Sequence, residues 1–347
     1  MPKNTWTDHA NIAVVGATGV VGAEVLSLLA QRQVAPSRVR ALASERSAGG
    51  FVPFGNSQLP VHALDHKEVQ SADVVLLCAT AEVARAYAPL ATSAGALVID
   101  NSSAFRLQEN VPLVVPEINP HALPRSARGA IVANPNCSTI ILLTALEPLR
   151  KQWGVRSIHV STYQAVSGAG QKGMDELLSQ ANDFAHSRVS VPRAFAEPCL
   201  FNVFSHDSSV DEHTGLNGEE QKIIDESRKI WQDTTLAITP TCVRVPVLRA
   251  HTQSISVELR SSATEQQLRS ALSQSPAIRV IDDRANNKFP TPLQATGLDE
   301  VLVGRLRKNP ASNQHGPSTA WNLLACGDQL RKGAALNALQ IADVLLN

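Results

Sequence analysis

Two stretches of this 347-residue chain carry residue types suited to covalent and redox chemistry. The first is Ala133-Asn134-Pro135-Asn136-Cys137-Ser138-Thr139, followed directly by the apolar run 140–149, which reads as a helix. A cysteine at a helix N-terminus has its thiolate stabilised by the helix dipole, which favours a nucleophile at neutral pH. The second is Gly16-Ala17-Thr18-Gly19-Val20-Val21-Gly22, between an apolar strand and an amphipathic helix. Glycines there permit a tight turn and close backbone approach to a pyrophosphate, while the helix start offers free N–H groups. A thiol beside a hydride carrier suggests a thioester path: attack, hydride transfer and acyl transfer.

The end of the second strand bears on the choice between NAD and NADP. The stretch Ser44-Glu45-Arg46-Ser47 follows it. Arg46 and Ser47 suit a ribose 2′-phosphate, and Glu45 would instead suit the free ribose of NAD. The stretch favours NADP. The base is harder to see. Of ten histidines, none is selected by its neighbours alone, and His251 in Arg244-Val245-Pro246-Val247-Leu248-Arg249-Ala250-His251 stays one candidate among several. The other cysteines (Cys78, Cys199, Cys242, Cys326) form no CxxC pair, so no metal site or redox pair is expected, and free thiols fit an intracellular protein.

Elements that position these residues follow from the pattern. Apolar runs at 11–16, 39–43, 72–78 and 96–100 are separated by helical stretches, as in a parallel sheet covered on both faces. This predicts an α/β fold with a Rossmann-type doubly wound nucleotide-binding domain. Runs at 157–163, 242–246, 254–259 and 300–305 alternate like half-exposed strands, with helical patterns at 175–181 and 219–230 between them. They predict an α+β domain with a mainly antiparallel sheet. Polar stretches 180–191 and 207–217 read as loops, and 330–346 reads as one long helix.

Composition narrows the function classes. Lys plus Arg and Asp plus Glu are equal at 31 each, so the net charge is zero. That leaves no basic surplus for a nucleic-acid partner, and aromatics at 4% offer few stacking platforms. No apolar run approaches the ~18–20 residues of a membrane helix. The opening residues carry no apolar signal region or Arg-rich transit pattern, so a cytoplasmic location is expected.

Several segments together resemble the aspartate-semialdehyde dehydrogenase family. They are GATGVVG at 16–22, ASERSAG at 43–49, DNSSAFR at 100–106, VPEIN at 115–119 and NPNCST at 134–139. TYQAVSGAG at 162–170, RVPVLRAH at 244–251, PTPL at 290–293 and GDQLRKGAALNALQIA at 327–342 complete the set, in order along nearly the whole chain. The resemblance implies NADPH-dependent reduction of L-aspartate 4-phosphate to L-aspartate 4-semialdehyde with release of phosphate. This is a step toward lysine (through diaminopimelate), threonine and methionine. It implies Cys137 as nucleophile, Asn136 at the oxyanion, Gln164 orienting the substrate and His251 as acid/base. Arg244 would bind the substrate carboxylate, Arg106 and Lys222 the phosphate, and Glu219 the ammonium, with Glu220 as the alternative. For NADP it implies Gly16, Thr18, Gly19, Val20, Val21 and Gly22 at the pyrophosphate, Arg46 and Ser47 at the 2′-phosphate, and Ser167, Gly168 and Gln329 near the nicotinamide. Two domains are expected: 1–135 completed by 328–347 for NADP, and 136–327 for catalysis and dimerisation, in a homodimer or homotetramer. The turn 78–83 lacks the family's small Gly-rich form, and GEEQK at 218–222 departs from the commoner pattern before the lysine. The alternatives are an N-acetyl-γ-glutamyl-phosphate reductase-like enzyme and a catalytically silent nucleotide-binding relative.

Overall fold

The computed structural model describes residues 5–312 and 316–347, so His315 lies outside it. The chain forms two compact units, Met1–Asn136 with Ala334–Asn347, and Cys137–Gly333.

Among the described residues the first unit holds seven strands: β1 Ile12–Val15, β2 Val39–Ala43, β3 Phe51–Phe54, β4 Ser57–Ala63, β5 Val74–Leu77, β6 Leu97–Asp100 and β7 Ile131–Ala133. Their order is β3-β4-β2-β1-β5-β6-β7. All neighbours run parallel except the β3–β4 hairpin. Every residue of β1, β5 and β6 is buried, which is why β1 and β5 read as unbroken apolar runs and β6 as an apolar run closed by Asp100. The hairpin is an addition to the expected elements. Pro53 and Pro60 interrupt its pattern, and a proline without an N–H is tolerated where a strand lies at a sheet edge, as β3 does. Strand order reverses between β1 and β5, and the carboxyl ends at such a switch point are where open α/β sheets bind ligands.

The closing helix, Leu336–Leu346, belongs to this unit's core. Leu336, Leu339, Ile341 and Ala342 share one apolar cluster with Val14, Leu76 and Ile99. Each buried Leu or Ile contributes about 1.5–3 kcal/mol. Asp343 fastens the helix further, accepting from Arg32 at 2.8 and 2.9 Å and from Trp6 Nε1 at 2.8 Å. The stretch expected as one helix is divided: Arg331–Ala335 is wound as a π-turn, and α-helix starts at Leu336.

The second unit holds β8 Val155–Gln164, β9 Phe204–Ser205, β10 Ala237–Arg244, β11 His251–Ala263, β12 Ile278–Val280, β13 Val301–Lys308 and β14 Ser318–Gly327. The order is β12-β13-β14-β11-β8-β10-β9. Pairs β8–β10 and β12–β13 are parallel, and the rest are antiparallel. The helix Cys137–Trp153 is buried at every residue from Ser138 to Glu147, so it forms the centre of this unit. The helix Gln171–Ala185 runs six residues into the stretch read as a loop from Gln180. Its polar side chains explain the extension. Glu176 accepts from the Arg193 and Ala194 amides, and Gln180 accepts from those of Cys199 and Leu200, so the helix face anchors the following loop.

Candidate active site

Three neighbouring strands inside the second unit's sheet bring their termini together. Gln164 closes β8, Arg244 closes β10, and the two are register partners in a parallel pair. His251 opens β11, the antiparallel neighbour of β8. Cys137 is the first residue of its helix. Its Sγ lies 3.6 Å from His251 Nε2.

The other side of the imidazole decides its chemistry. The Ala165 N–H donates to His251 Nδ1 at 3.0 Å. A backbone amide can only donate, so Nδ1 accepts and the neutral ring carries its proton on Nε2. That N–H is directed at the sulfur. A second proton would have to enter at Nδ1, against the amide. Burial pushes the His251 pKa down to about 3, and the Arg244 charge acts in the same direction. In the free protein the side chain is thus a neutral hydrogen-bond donor toward the sulfur. Burial also pushes the remaining thiols up, Cys78 and Cys242 to about 12 and Cys199 and Cys326 to about 11, so those four stay protonated.

Substrate-binding candidates surround this pair. Gln164 Nε2 donates to Glu219 Oε1 and to Thr162 Oγ1, both at 3.3 Å. Glu219 Oε2 receives Lys222 Nζ at 3.3 Å, so the two residues expected on one helix face do meet. Glu220 is committed elsewhere. Its Oε2 accepts from the Asn217 amide in a capping box, and its Oε1 accepts from the Cys242 amide at 2.9 Å. The geometry therefore leaves Glu219 as the acidic group beside Gln164. Arg244 is buried, with Nη1 donating to the Ala165 carbonyl at 3.0 Å and Nη2 engaged with Asp207 and His206.

Gln329 and Ser167, expected at the cofactor, are placed as a clamp on the turn that presents His251. Gln329 Oε1 accepts from the Ala250 amide at 2.8 Å, and its Nε2 donates to Ser167 Oγ. Ala250 has a φ of 72°, a left-handed conformation that such a clamp helps hold. Asp328 adds to it, accepting from Arg249 Nε at 2.8 Å and from the Leu330 amide at 3.0 Å. Gly168 is exposed, and a Cβ there would stand 2.9 Å from Arg244 Nη1.

The first unit carries the remaining candidates. Gly16 has a φ of 81°, and a Cβ there would stand 2.4 Å from the Cys78 carbonyl oxygen, at the end of the neighbouring strand β5. A Cβ on Gly22 would stand 2.2 Å from the Gly16 carbonyl oxygen. Gly19 caps the helix Val20–Gln31 with no side-chain bond, and its first turn has no acidic residue. This close-packed turn, with Thr18 exposed and Val20 and Val21 half-buried at the helix start, fits a pyrophosphate. Arg46 is exposed on the 3₁₀ turn Glu45–Ser47 after β2, with Ser47 half-buried beside it. Opposite, Thr80 Oγ1 caps the helix Ala81–Ser93, so the unusual 78–83 turn is a regular helix entry. Arg106 is buried and donates from Nη2 to the Asn101 carbonyl at 2.7 Å. It stands in the first unit and Lys222 in the second. Asn136 is buried where the first unit ends. A chain of amides supports that end: Asn337 Nδ2 donates to Asn134 Oδ1 at 2.7 Å, and Asn134 Nδ2 donates to Asn101 Oδ1 at 3.1 Å. Asn101 and Asn337 lay within the motifs read from the sequence, but nothing in an isolated asparagine marks it as a link.

A parallel α/β unit with a glycine turn at a helix start, joined in one chain to a unit that sets a cysteine against a histidine, is the plan of a nicotinamide-dependent dehydrogenase working through a thiol. The family models agree. Residues 11–126 match the semialdehyde dehydrogenase NAD binding domain, and 146–332 match the semialdehyde dehydrogenase dimerisation domain. The aspartate-semialdehyde dehydrogenase of Synechocystis sp. is 42% identical over 335 residues, covering 96% of this chain and 97% of its own. That of Legionella pneumophila is 38% identical, covering 97% and 96%. The crystal structure of aspartate semialdehyde dehydrogenase II from Vibrio cholerae, complexed with ASA, matches with a TM-score of 0.90 at 37% identity, over 97% of this chain and 98% of that one. The chain belongs to the aspartate-semialdehyde dehydrogenase family.

Proposed function

We infer that this protein reduces L-aspartate 4-phosphate to L-aspartate 4-semialdehyde and phosphate, reversibly, through a thioester on Cys137. The observation that carries the mechanism is the Cys137–His251 pair with the Ala165 amide behind it. The Nε2–H directed at Sγ stabilises a thiolate, as does the helix start on which Cys137 sits. The sulfur attacks the acyl carbon, the C–S bond forms, and the carbon–oxygen bond to phosphate breaks. When bound, NADPH supplies the hydride that reduces the thioester. An oxyanion at the substrate carbon then accepts a hydrogen bond from His251 Nε2, and its collapse breaks the C–S bond and returns the thiolate. With Nδ1 held as an acceptor, His251 stabilises charge without giving up its proton, which is electrostatic catalysis rather than proton transfer. Asn136, next to Cys137, is proposed to support the same oxygen.

The substrate's groups are assigned by charge. Arg244 takes the α-carboxylate, Glu219 the ammonium, and Arg106 with Lys222 the phosphate, while Gln164 orients the acyl group. An N-acetylated substrate would bring no charge to Glu219, which favours the aspartyl reading over the N-acetylglutamyl one. A silent relative is disfavoured by the intact Cys137–His251 geometry. Arg46 and Ser47 support NADP over NAD. Residues 16–22 would hold its pyrophosphate, and Gly168, with the Ser167–Gln329 clamp beneath, its nicotinamide side. We assign the first unit, completed by the C-terminal helix, to NADP and the second to catalysis and dimerisation. A homodimer or homotetramer in the cytoplasm, on the route to lysine, threonine and methionine, fits this reading. Among the described residues no helix is long and apolar enough to cross a membrane. The test is phosphate-dependent NADP reduction with aspartate semialdehyde, run beside the N-acetylglutamate analogue. Turnover of the analogue alone would overturn the substrate assignment.

A further inference from the structure

The residue proposed to hold the substrate carboxylate already holds a carboxylate. Arg244 Nη2 donates to Asp207 Oδ1, on the loop that follows β9. The guanidinium is otherwise tightly set. Its Nη1 is tied to the Ala165 carbonyl, the Phe195 ring lies 5.4 Å from Cζ, and a Cβ on Gly168 would stand 2.9 Å from Nη1. Nη2 also lies 2.9 Å from His206 Nε2. The Arg244 side chain is 2% exposed, whereas that of Asp207 is 31% exposed. Asp207 therefore covers the cation on its solvent side.

The pairing is incomplete in one respect. Arg244 Nε is buried and finds no acceptor among the described residues. A buried donor left unpaired costs free energy, and a carboxylate that spans Nε and Nη2 side by side would remove that cost. Asp207 reaches Nη2 through one oxygen. An incoming carboxylate that binds with two has the advantage, and Asp207, being partly exposed, can return to water when displaced.

We propose that Asp207 is a latch on Arg244, occupying the guanidinium in the free protein and yielding it to the α-carboxylate of the amino-acid substrate. The proposal rests on the reaction inferred above. Its function is selectivity. A buried arginine without a partner would attract any small anion, phosphate included. With Asp207 in place, a ligand has to displace a carboxylate, which favours one that also engages the neighbouring Glu219 with an ammonium. Asp207 thus acts through Arg244 and sets which ligands reach it.

The latch gives a signed expectation. Replacing Asp207 by an uncharged isostere destabilises the free protein but not the complex, from which Asp207 has already been displaced. Substrate binding gains what the free state loses. In assays of semialdehyde oxidation, Asp207→Asn is expected to lower the KM for aspartate semialdehyde at least about five-fold, with kcat and the KM for NADP unchanged. Inhibition by simple carboxylates such as acetate should strengthen alongside. A thermal-shift series with L-2-aminobutyrate, which has the amino-acid head but no reactive carbonyl, reads the same effect without turnover. The variant should melt lower than the wild type when free and recover more of the difference with ligand. A raised or unchanged KM for the semialdehyde, with no added recovery by L-2-aminobutyrate, overturns the latch and leaves Asp207 as a brace for Arg244. Absence of turnover in the wild type overturns the proposed reaction and the latch with it.

Discussion

The state of His251 is the sharpest quantitative consequence of the fold. An ordinary histidine titrates near 6.5, so at pH 5 it would be about 97% imidazolium. His251 is pushed down to about 3 by burial, which at pH 5 leaves only ~1% imidazolium. The sign follows from the surroundings. Burial disfavours the charged ring, Arg244 repels it, and the Ala165 amide occupies the nitrogen where the second proton would enter. The perturbation is a pH titration from 9 to 5, and the assay is NMR of protein labelled with ¹⁵N-histidine, assigned by a His251→Asn variant. The His251 signals should show a protonated Nε2 and a bare Nδ1 across the whole range. A midpoint near 6.5, or the reverse tautomer, would refute the neutral-donor mechanism even if the enzyme were fully active.

Three further expectations follow from named contacts. Arg46→Ala should raise the KM for NADP at least about ten-fold more than that for NAD, since only NADP offers the 2′-phosphate; equal changes count against the assignment. Glu219→Gln should raise the KM for the semialdehyde with little loss of thermal stability. Glu220→Gln should do the opposite, costing about 1–2 kcal/mol by breaking the capping box and the bond to the Cys242 amide. Gly16→Ala places a Cβ against the Cys78 carbonyl at a left-handed φ, and should destabilise the first unit by several kcal/mol, visible as a lower melting temperature and lost NADP binding.

Much of this layout was legible in residue types. Strands β1, β5 and β6 are buried on both faces, so β1 and β5 are unbroken apolar runs and β6 is apolar up to the buried Asp100, and the glycine turn follows β1 as expected. Cys137 was legible because a helix start is marked by the apolar run behind it. Other parts left no such mark. Strand β14 lies between β11 and β13 with many positions buried, which blurs the alternation that reveals a half-exposed strand. The β3–β4 hairpin was hidden by Pro53 and Pro60. The tautomer of His251 is set by the main-chain amide of Ala165, and an alanine side chain says nothing about where its amide points. Asp207 sits in a polar loop 37 residues before its partner, so nothing local distinguishes it from its neighbours. Gln329 was found by resemblance, but its bonds to Ala250 and Ser167 depend on two distant turns meeting.

In the proposed reaction Cys137 carries the acyl group, and turnover of aspartate semialdehyde depends on phosphate. The direct measurement is NADP reduction by wild type and Cys137→Ala, with aspartate semialdehyde, in the presence and absence of phosphate. Turnover is expected in the wild type only when phosphate is present, with a loss of at least about 10³-fold in the variant and NADP binding intact. Turnover retained by Cys137→Ala, or NADP reduction that proceeds equally well without phosphate, would contradict the proposed reaction.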